Sequence, residues 1–155
     1  MIPVAKELLK SHKDKIILPI DFIAMNPRHL PETISERKRF SKIVSACAIP
    51  KNLACFDIGP KTIQLYKHIL LDAKTVLWNG PLGYFEKHPF NTSTKEIAKA
   101  ITKNNIHSIV CGGDTASALK QTPYKSRITH ISTGGGASLY LLSGKKLPAL
   151  LALEK

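Results

Sequence analysis

No apolar run in this chain is long enough to cross a bilayer. Stretches such as Leu147–Leu153 stop far short of the roughly 20 residues a spanning helix needs. No charged segment followed by an apolar one opens the chain, so a secretory signal is not expected. Cysteine is scarce: Cys47, Cys55 and Cys111 are odd in number and lack metal-ligand spacing, which reads as reduced thiols in a cytoplasmic protein. There is no internal repeat, low-complexity linker or visible domain boundary. Acidic residues are also few, 11 against 23 lysines and arginines, for a formal net charge of +12.

That charge fits a nucleic-acid binder, a protein handling small anions, or a solvated lysine-rich surface. The densest basic run, Arg28–Lys42, carries Arg28, Arg37, Lys38, Arg39 and Lys42 together with Glu32 and Glu36. Phe40 is its one aromatic, a poor platform for stacking single-stranded nucleic acid. The run reads as an exposed loop or short helix. Charge alone does not decide between the three.

What is present is an ordinary globular balance, 43% hydrophobic and 22% charged over 155 residues. It suits one compact domain or a substantial piece of a larger one. Short apolar runs predict strands at Ile16–Ile20, Ala54–Ile58, Thr75–Trp78, His107–Cys111 and Ile128–Ile131. Between them, helix signals stand at Pro3–Ser11, after Pro60, at a capping box Ser93-Thr94-Lys95-Glu96, and at Ala137–Leu142 before Gly144. This alternation predicts an α/β fold, a parallel sheet with helices on both faces, Rossmann-like in organisation. The strand runs lack strict alternation, as expected when both sheet faces are buried. Ligands bind such sheets beyond the carboxyl ends of the strands. Gly59, Gly80 and Gly83, Gly112-Gly113 and Gly134-Gly135-Gly136 all follow predicted strands, so four strand ends are expected at one crevice.

Three motifs carry the chemistry. In Gly112-Gly113-Asp114-Thr115, the glycines permit close backbone approach, and a helix opening at Thr115 would aim free N–H groups at an anion. Asp114 either holds Mg²⁺ as a hard oxygen ligand or caps that helix, and Thr115 can donate to a phosphate. In Thr133-Gly134-Gly135-Gly136-Ala137-Ser138, three successive glycines cost helix stability, which suggests a phosphoryl group lying against bare backbone, or else a mobile loop. In Trp78-Asn79-Gly80-Pro81-Leu82-Gly83-Tyr84-Phe85-Glu86, a strand ends at Asn79 and turns at Gly80-Pro81. Glu86 there either accepts from sugar hydroxyls or is a solvated surface carboxylate.

Read in order, these motifs, with Leu18-Pro19-Ile20-Asp21, Asp57-Ile58-Gly59-Pro60-Lys61-Thr62 and Gly144-Lys145-Lys146-Leu147-Pro148, resemble the phosphoglycerate kinase family over nearly the whole chain. Met25–Lys42 is the least family-like part. The resemblance implies a hinge-bending cytoplasmic enzyme of glycolysis and gluconeogenesis, moving a phosphoryl group between 1,3-bisphosphoglycerate and ADP with Mg²⁺, to give 3-phosphoglycerate and ATP. It implies Glu86 at the ribose, Asp114 at the metal–phosphate unit, and Gly112, Gly113 and Thr115 at the phosphates. Gly134, Gly135 and Gly136 fall near the transferred group, and Asn79 and Pro81 line the pocket. Cys111 and Cys55 stand where the family usually has glycine, which puts nucleotide affinity in question. By the same resemblance residues 1–155 are part of the C-terminal, nucleotide-binding domain. The N-terminal domain that holds phosphoglycerate, a phosphate-binding lysine and an adenine-side glycine loop are expected to be absent. The chain alone is then expected to be inactive, acting on phosphoglycerates only with the N-terminal portion, in trans if need be. A nucleotide-binding module without turnover and a basic nucleic-acid binder are the alternatives.

Overall fold

The computed structural model describes residues 2–103 and 106–154. In chain order the elements are α1 (Ile2–Ser11), β1 (Asp21–Met25), α2 (Ile34–Phe40), β2 (Lys42–Ser45), β3 (Ala54–Ile58), α3 (Pro60–Leu70) and β4 (Thr75–Asn79). There follow α4 (Thr92–Ile101), β5 (His107–Cys111), α5 (Gly113–Lys120), β6 (His130–Ser132), α6 (Gly135–Leu142) and α7 (Pro148–Leu153).

The α/β class and the parallel sheet stand as expected. Strands β4, β5 and β6 pair in that order, all parallel, and α3, α4 and α5 close a core over them. Trp78, Ile97, Ala98, Ile101, Val110 and Leu119 form its centre, which joins β4 and β5 to α4 and α5. The first half departs from the expectation. Strands β2, β1 and β3 make a separate antiparallel sheet, with β1 in the middle.

Other local readings need correction. Ile16–Ile20 is not a strand; the strand begins at Asp21, where pairing partners exist on both sides. The preceding residues instead meet α3: the Ile20 N–H donates to Thr62 Oγ1, and Ile17 O accepts from the Tyr66 hydroxyl. The last strand covers His130–Ser132, later than Ile128–Ile131. Ser93–Glu96 is not a capping box. The helix starts at Thr92 with Asn91 at its N-cap, Ser93 faces inward to Asp57, and Glu96 pairs with Lys67 at 2.7 Å. The basic run does contain a short helix, α2, and its Arg37 is buried, donating to the carbonyls of Pro31, Glu32 and His88.

How α3 and α4 begin matters most. A helix leaves its first N–H groups without intrahelical partners, and a side chain at the N-cap usually supplies one. Neither N-cap residue here, Gly59 or Asn91, makes a side-chain cap. Carboxylates from neighbouring strands do it instead. Asp21 at the start of β1 accepts from the N–H groups of Lys61 (3.1 Å) and Thr62 (2.8 Å) and from the Thr62 hydroxyl (2.6 Å). Burial pushes its carboxyl up, but these donors outweigh burial and hold it below its ordinary value. Gly59 has to be glycine: a β-carbon there would fall on the Asp21 carboxyl group. Asp57 near the end of β3 does the same for α4, accepting from Ser93 N–H at 3.1 Å, from the Ser93 hydroxyl, and from its neighbour Ile58 N–H at 2.9 Å. It is 3% exposed. Burial dominates here and pushes its carboxyl up to about 6, although the Ser93 and Ile58 donors pull the other way.

Large apolar side chains remain exposed on several elements. Helices α1, α6 and α7 bury no side chain, and Ile17, Leu18 and Ile20 are exposed, Ile17 beside residues of β4. The chain exposes 10558 Å², against about 7,700 Å² for a typical folded monomer of this mass.

The Asp57 shift has a signed consequence. Its carboxyl titrates near 3.8 when unfolded and near 6 when folded, so the folded state binds more protons between those values and loses stability as pH rises through them. Relative to Asp57→Asn, the parent's unfolding free energy should fall by up to about 3 kcal/mol between about pH 4 and pH 6 and then run parallel. Urea unfolding at several pH values measures this. Parallel curves across the whole range would contradict the raised carboxyl.

Candidate functional site

Parallel pairing brings three strand ends into register: Asn79 lies opposite Cys111, and Cys111 opposite Ser132. Beyond each, the chain turns through glycine. Gly80 and Gly112 have φ of +102° and +98°, a region other residues rarely adopt. These turns are tied to each other. Gly112 N–H donates to Ser132 O at 2.9 Å, and Gly80 N–H to Thr115 Oγ1 at 2.8 Å. Trp78 Nε1 donates to Gly80 O at 2.7 Å.

The result is a cleft of about 240 Å³ lined by Asn79, Gly80, Pro81, Gly112, Gly113, Asp114, Thr115, Gly135 and Gly136, with Cys111 and Leu139. Two helices start in its wall, α5 after Gly112 and α6 after Gly134, and neither has a side-chain cap. Unlike those of α3 and α4, their first N–H groups donate to no carboxylate from a neighbouring strand among the described residues. Apart from Gly135 N–H, which donates to Thr133 O at 3.1 Å, two positive dipole ends and their N–H groups face one space. Gly135 lets them meet. A β-carbon on it would stand 2.8 Å from Gly112 Cα, closer than real β-carbons come, and a tight 3.2 Å from Asn79 Oδ1. Gly136 is different, because a β-carbon there would meet nothing.

The expected site residues fall out as follows. Asn79, Pro81, Gly112, Gly113, Asp114, Thr115, Gly135 and Gly136 come together on the cleft. Asp114 is exposed in the first turn of α5, inside the helix and not at its N-cap, so the capping alternative does not describe it. Thr115 is 1% exposed, and its hydroxyl oxygen holds Gly80, which makes it a strut between two turns. Gly134 sits behind the lining as the N-cap of α6, held by Ser132 Oγ at 3.2 Å. Glu86 is exposed and outside the lining. Of the four strand ends expected at one crevice, three arrive; Gly59 packs on Asp21 and Gly83 on Asp57. Cys111 is almost wholly buried at the cleft floor.

Of a second, more apolar cleft, about 450 Å³, lined by Phe22, Cys55, Phe56, Asp57, Ile58, Gly83 and Tyr84, the family resemblance points only to Cys55. Phe56 stacks against Tyr84 and Phe90, with ring centroids 6.2 and 5.0 Å apart. Partial burial pushes the Cys55 thiol up. One segment, Gly80–Tyr84, serves both clefts: its first residues line the polar one and its last the aromatic one. Phe22, Phe56 and Tyr84 come from three separate segments, so no local motif announces this cleft.

A family model described as phosphoglycerate kinase matches residues 1–145. The phosphoglycerate kinase of Lactobacillus acidophilus is 45% identical over 154 residues, which is 99% of this chain and 36% of that protein. That of Corynebacterium diphtheriae is 43% identical over 153 residues, 96% of this chain and 36% of the relative. Among solved structures, phosphoglycerate kinase from Coxiella burnetii superposes with a TM-score of 0.83 at 34% identity, over 96% of this chain and 38% of that one. The Pyrococcus horikoshii OT3 enzyme gives 0.80 at 30% identity, over 99% and 36%. The chain thus spans little more than a third of the length of the relatives it matches.

The two glycines opening α6 should separate packing from open backbone. Gly135→Ala should destabilise the fold by about 1–3 kcal/mol, the usual cost of overpacking. Gly136→Ala, at an open helical position, should stabilise it by up to about 1 kcal/mol. Thermal unfolding of the two variants checks this; equal effects would contradict the close approach of Gly135 to Gly112.

Proposed function

The chain belongs to the phosphoglycerate kinase family, and on that premise we propose that it is the nucleotide-holding part of an enzyme that moves a phosphoryl group between 1,3-bisphosphoglycerate and ADP. The observation that carries this reading is the convergence of two uncapped helix N-termini on one glycine-lined cleft, joined by a single loop to an aromatic cleft. The base of ADP fits the aromatic cleft, where Phe56 and Tyr84 offer faces for stacking. Its phosphates fit the amide-lined cleft, and Glu86, next to the connecting loop, is assigned to the ribose hydroxyls.

In the forward direction a β-phosphate oxygen of ADP attacks the acyl phosphorus. The bond from phosphorus to the carboxyl oxygen breaks, and 3-phosphoglycerate leaves as the carboxylate. Positioning and charge stabilisation supply most of the catalysis in such transfers. The N–H groups at the starts of α5 and α6 meet the phosphate oxygens, and Gly136, with no side chain, leaves room for the transferred group. Thr115 holds the Gly80 turn beside these amides, and Asn79 lines the cleft next to Gly112 and Gly135. Mg²⁺ fits the donor set: this ion ordinarily takes one or two carboxylates with phosphate and water oxygens, and Asp114 presents an exposed carboxylate on the cleft. Asp114 would hold it, and when bound it would neutralise phosphate charge.

Phosphoglycerate must be held opposite this cleft by protein that these residues do not provide. We therefore assign nucleotide binding to the chain alone and turnover to its assembly with the remainder of the family's length, in the cytoplasm, within glycolysis and gluconeogenesis. No helix among the described residues is long and apolar enough to cross a membrane.

Calorimetric titration with Mg-ADP tests the reading. Binding should be saturable and weaken in Asp114→Asn only when Mg²⁺ is present. Glu86→Ala should lower ADP affinity and leave pyrophosphate affinity unchanged. A chain that ignores Mg-ADP but binds single-stranded RNA with steep salt dependence would support the basic nucleic-acid binder instead. A coupled assay on the chain alone should show no transfer; family-like turnover would contradict the division of labour.

A further inference from the structure

Asp57 is buried, charged chemistry that neither phosphate binding nor transfer uses. Capping α4 explains part of its presence, but its surroundings show a second fit. Gly83 adopts φ +70°, and the place its β-carbon would take is filled by Asp57 Oδ1 and the Phe90 carbonyl oxygen. The Asp57 carboxylate is therefore seated in the gap that Gly83 leaves, and the Ser93 hydroxyl and Ile58 N–H hold the same oxygen, Oδ1, while Ser93 N–H holds Oδ2.

The connecting loop is fastened unevenly. Its Gly80 end is held by Trp78 Nε1, by Thr115 Oγ1, and, two residues on, by Thr94, whose hydroxyl exchanges hydrogen bonds with Leu82 N–H (3.1 Å) and O (2.6 Å). The Gly83–Tyr84 end is held by two backbone bonds, Tyr84 N–H to Phe56 O at 2.7 Å and Lys87 N–H to Tyr84 O at 3.0 Å, and by the fit against Asp57, the side chain packed on Gly83. Asp57, Gly83 and Tyr84 all line the aromatic cleft.

We propose that Asp57 is a positioning residue for nucleotide binding: its carboxylate seats Gly83 and thereby fixes Tyr84 at the distance from Phe22 and Phe56 at which the aromatic cleft accepts a base. This rests on the base assignment made above. A carboxylate that only capped α4 would affect folding and leave the ratio of base to phosphate recognition alone. A positioning carboxylate changes that ratio, because the phosphate end of the loop has its own fastenings.

The experiment is a pair of titrations on the full chain, with ADP and with pyrophosphate, in the parent, Asp57→Asn and Gly83→Ala. Asn keeps the shape of the side chain but presents an amide where Ser93 and Ile58 donate. Ala at position 83 pushes on the same contact from the loop side, so either variant carries the test if the other fails to fold. Circular dichroism reports the fold. The single tryptophan, Trp78, reports the Gly80 end through its emission, which should not move. ADP affinity should fall about tenfold, the scale of one impaired stacking contact, while pyrophosphate affinity stays within about twofold. Equal losses for ADP and pyrophosphate, or unchanged ADP affinity in folded variants, would overturn the positioning role. A parent chain that binds pyrophosphate but not ADP, or neither, would instead sink the base assignment, and the positioning role with it.

Discussion

Everything at this site depends on how four helix N-termini are satisfied. Each of α3, α4, α5 and α6 starts near the end of a strand and leaves unpaired N–H groups at a positive dipole end. At α3 and α4 a buried carboxylate from a neighbouring strand, Asp21 or Asp57, takes up those donors. At α5 and α6 no side chain does so. The two open ends face the same cleft because Gly112 and Gly135 approach without β-carbons between them. An anion bound there would do for α5 and α6 what Asp21 and Asp57 do for their neighbours, with the difference that it can leave. The same physics closes two helix ends permanently and keeps two available.

The glycine clusters were the legible part of the site. Three of the four glycine-bearing turns do meet, because parallel strands in register must bring their ends together. What the sequence could not separate was a glycine that admits a ligand from one that admits a carboxylate. Gly59 and Gly83 follow strands just as Gly80 and Gly112 do, yet they make room for Asp21 and Asp57, which are distant in sequence. The Ser93–Glu96 capping box misled for the same reason. Its serine and glutamate have the right spacing for each other, but partners from β3 and α3 take both. Ile16–Ile20 has the composition of a strand and no ladder partner among the described residues, and composition without pairing does not make a strand. The aromatic cleft, assembled from Phe22, Phe56 and Tyr84, had no local signature at all.

The two clefts are built from one stretch of chain, while the surface around them lies open. Both clefts, their turns and their struts come from residues 21–139, in contact with one another. Helices α1, α6 and α7 nevertheless bury none of their side chains, and Ile17, Leu18 and Ile20 lie exposed. Such faces are ordinarily covered by packed neighbours. That the relatives are nearly three times as long is consistent with this. Recognition of a nucleotide needs a short stretch of backbone in the right place, whereas burial of a sheet needs the whole layer.

The central claim, that phosphate is held by the open starts of α5 and α6, is tested most directly by following backbone amide resonances while pyrophosphate is added. The account predicts saturable shifts largest at the open amides of Gly113–Thr115 and Gly136–Ala137, with the capped amides of Lys61, Thr62 and Ser93 unmoved. Shifts spread over the lysine-rich surface, or concentrated at the starts of α3 and α4, would contradict it.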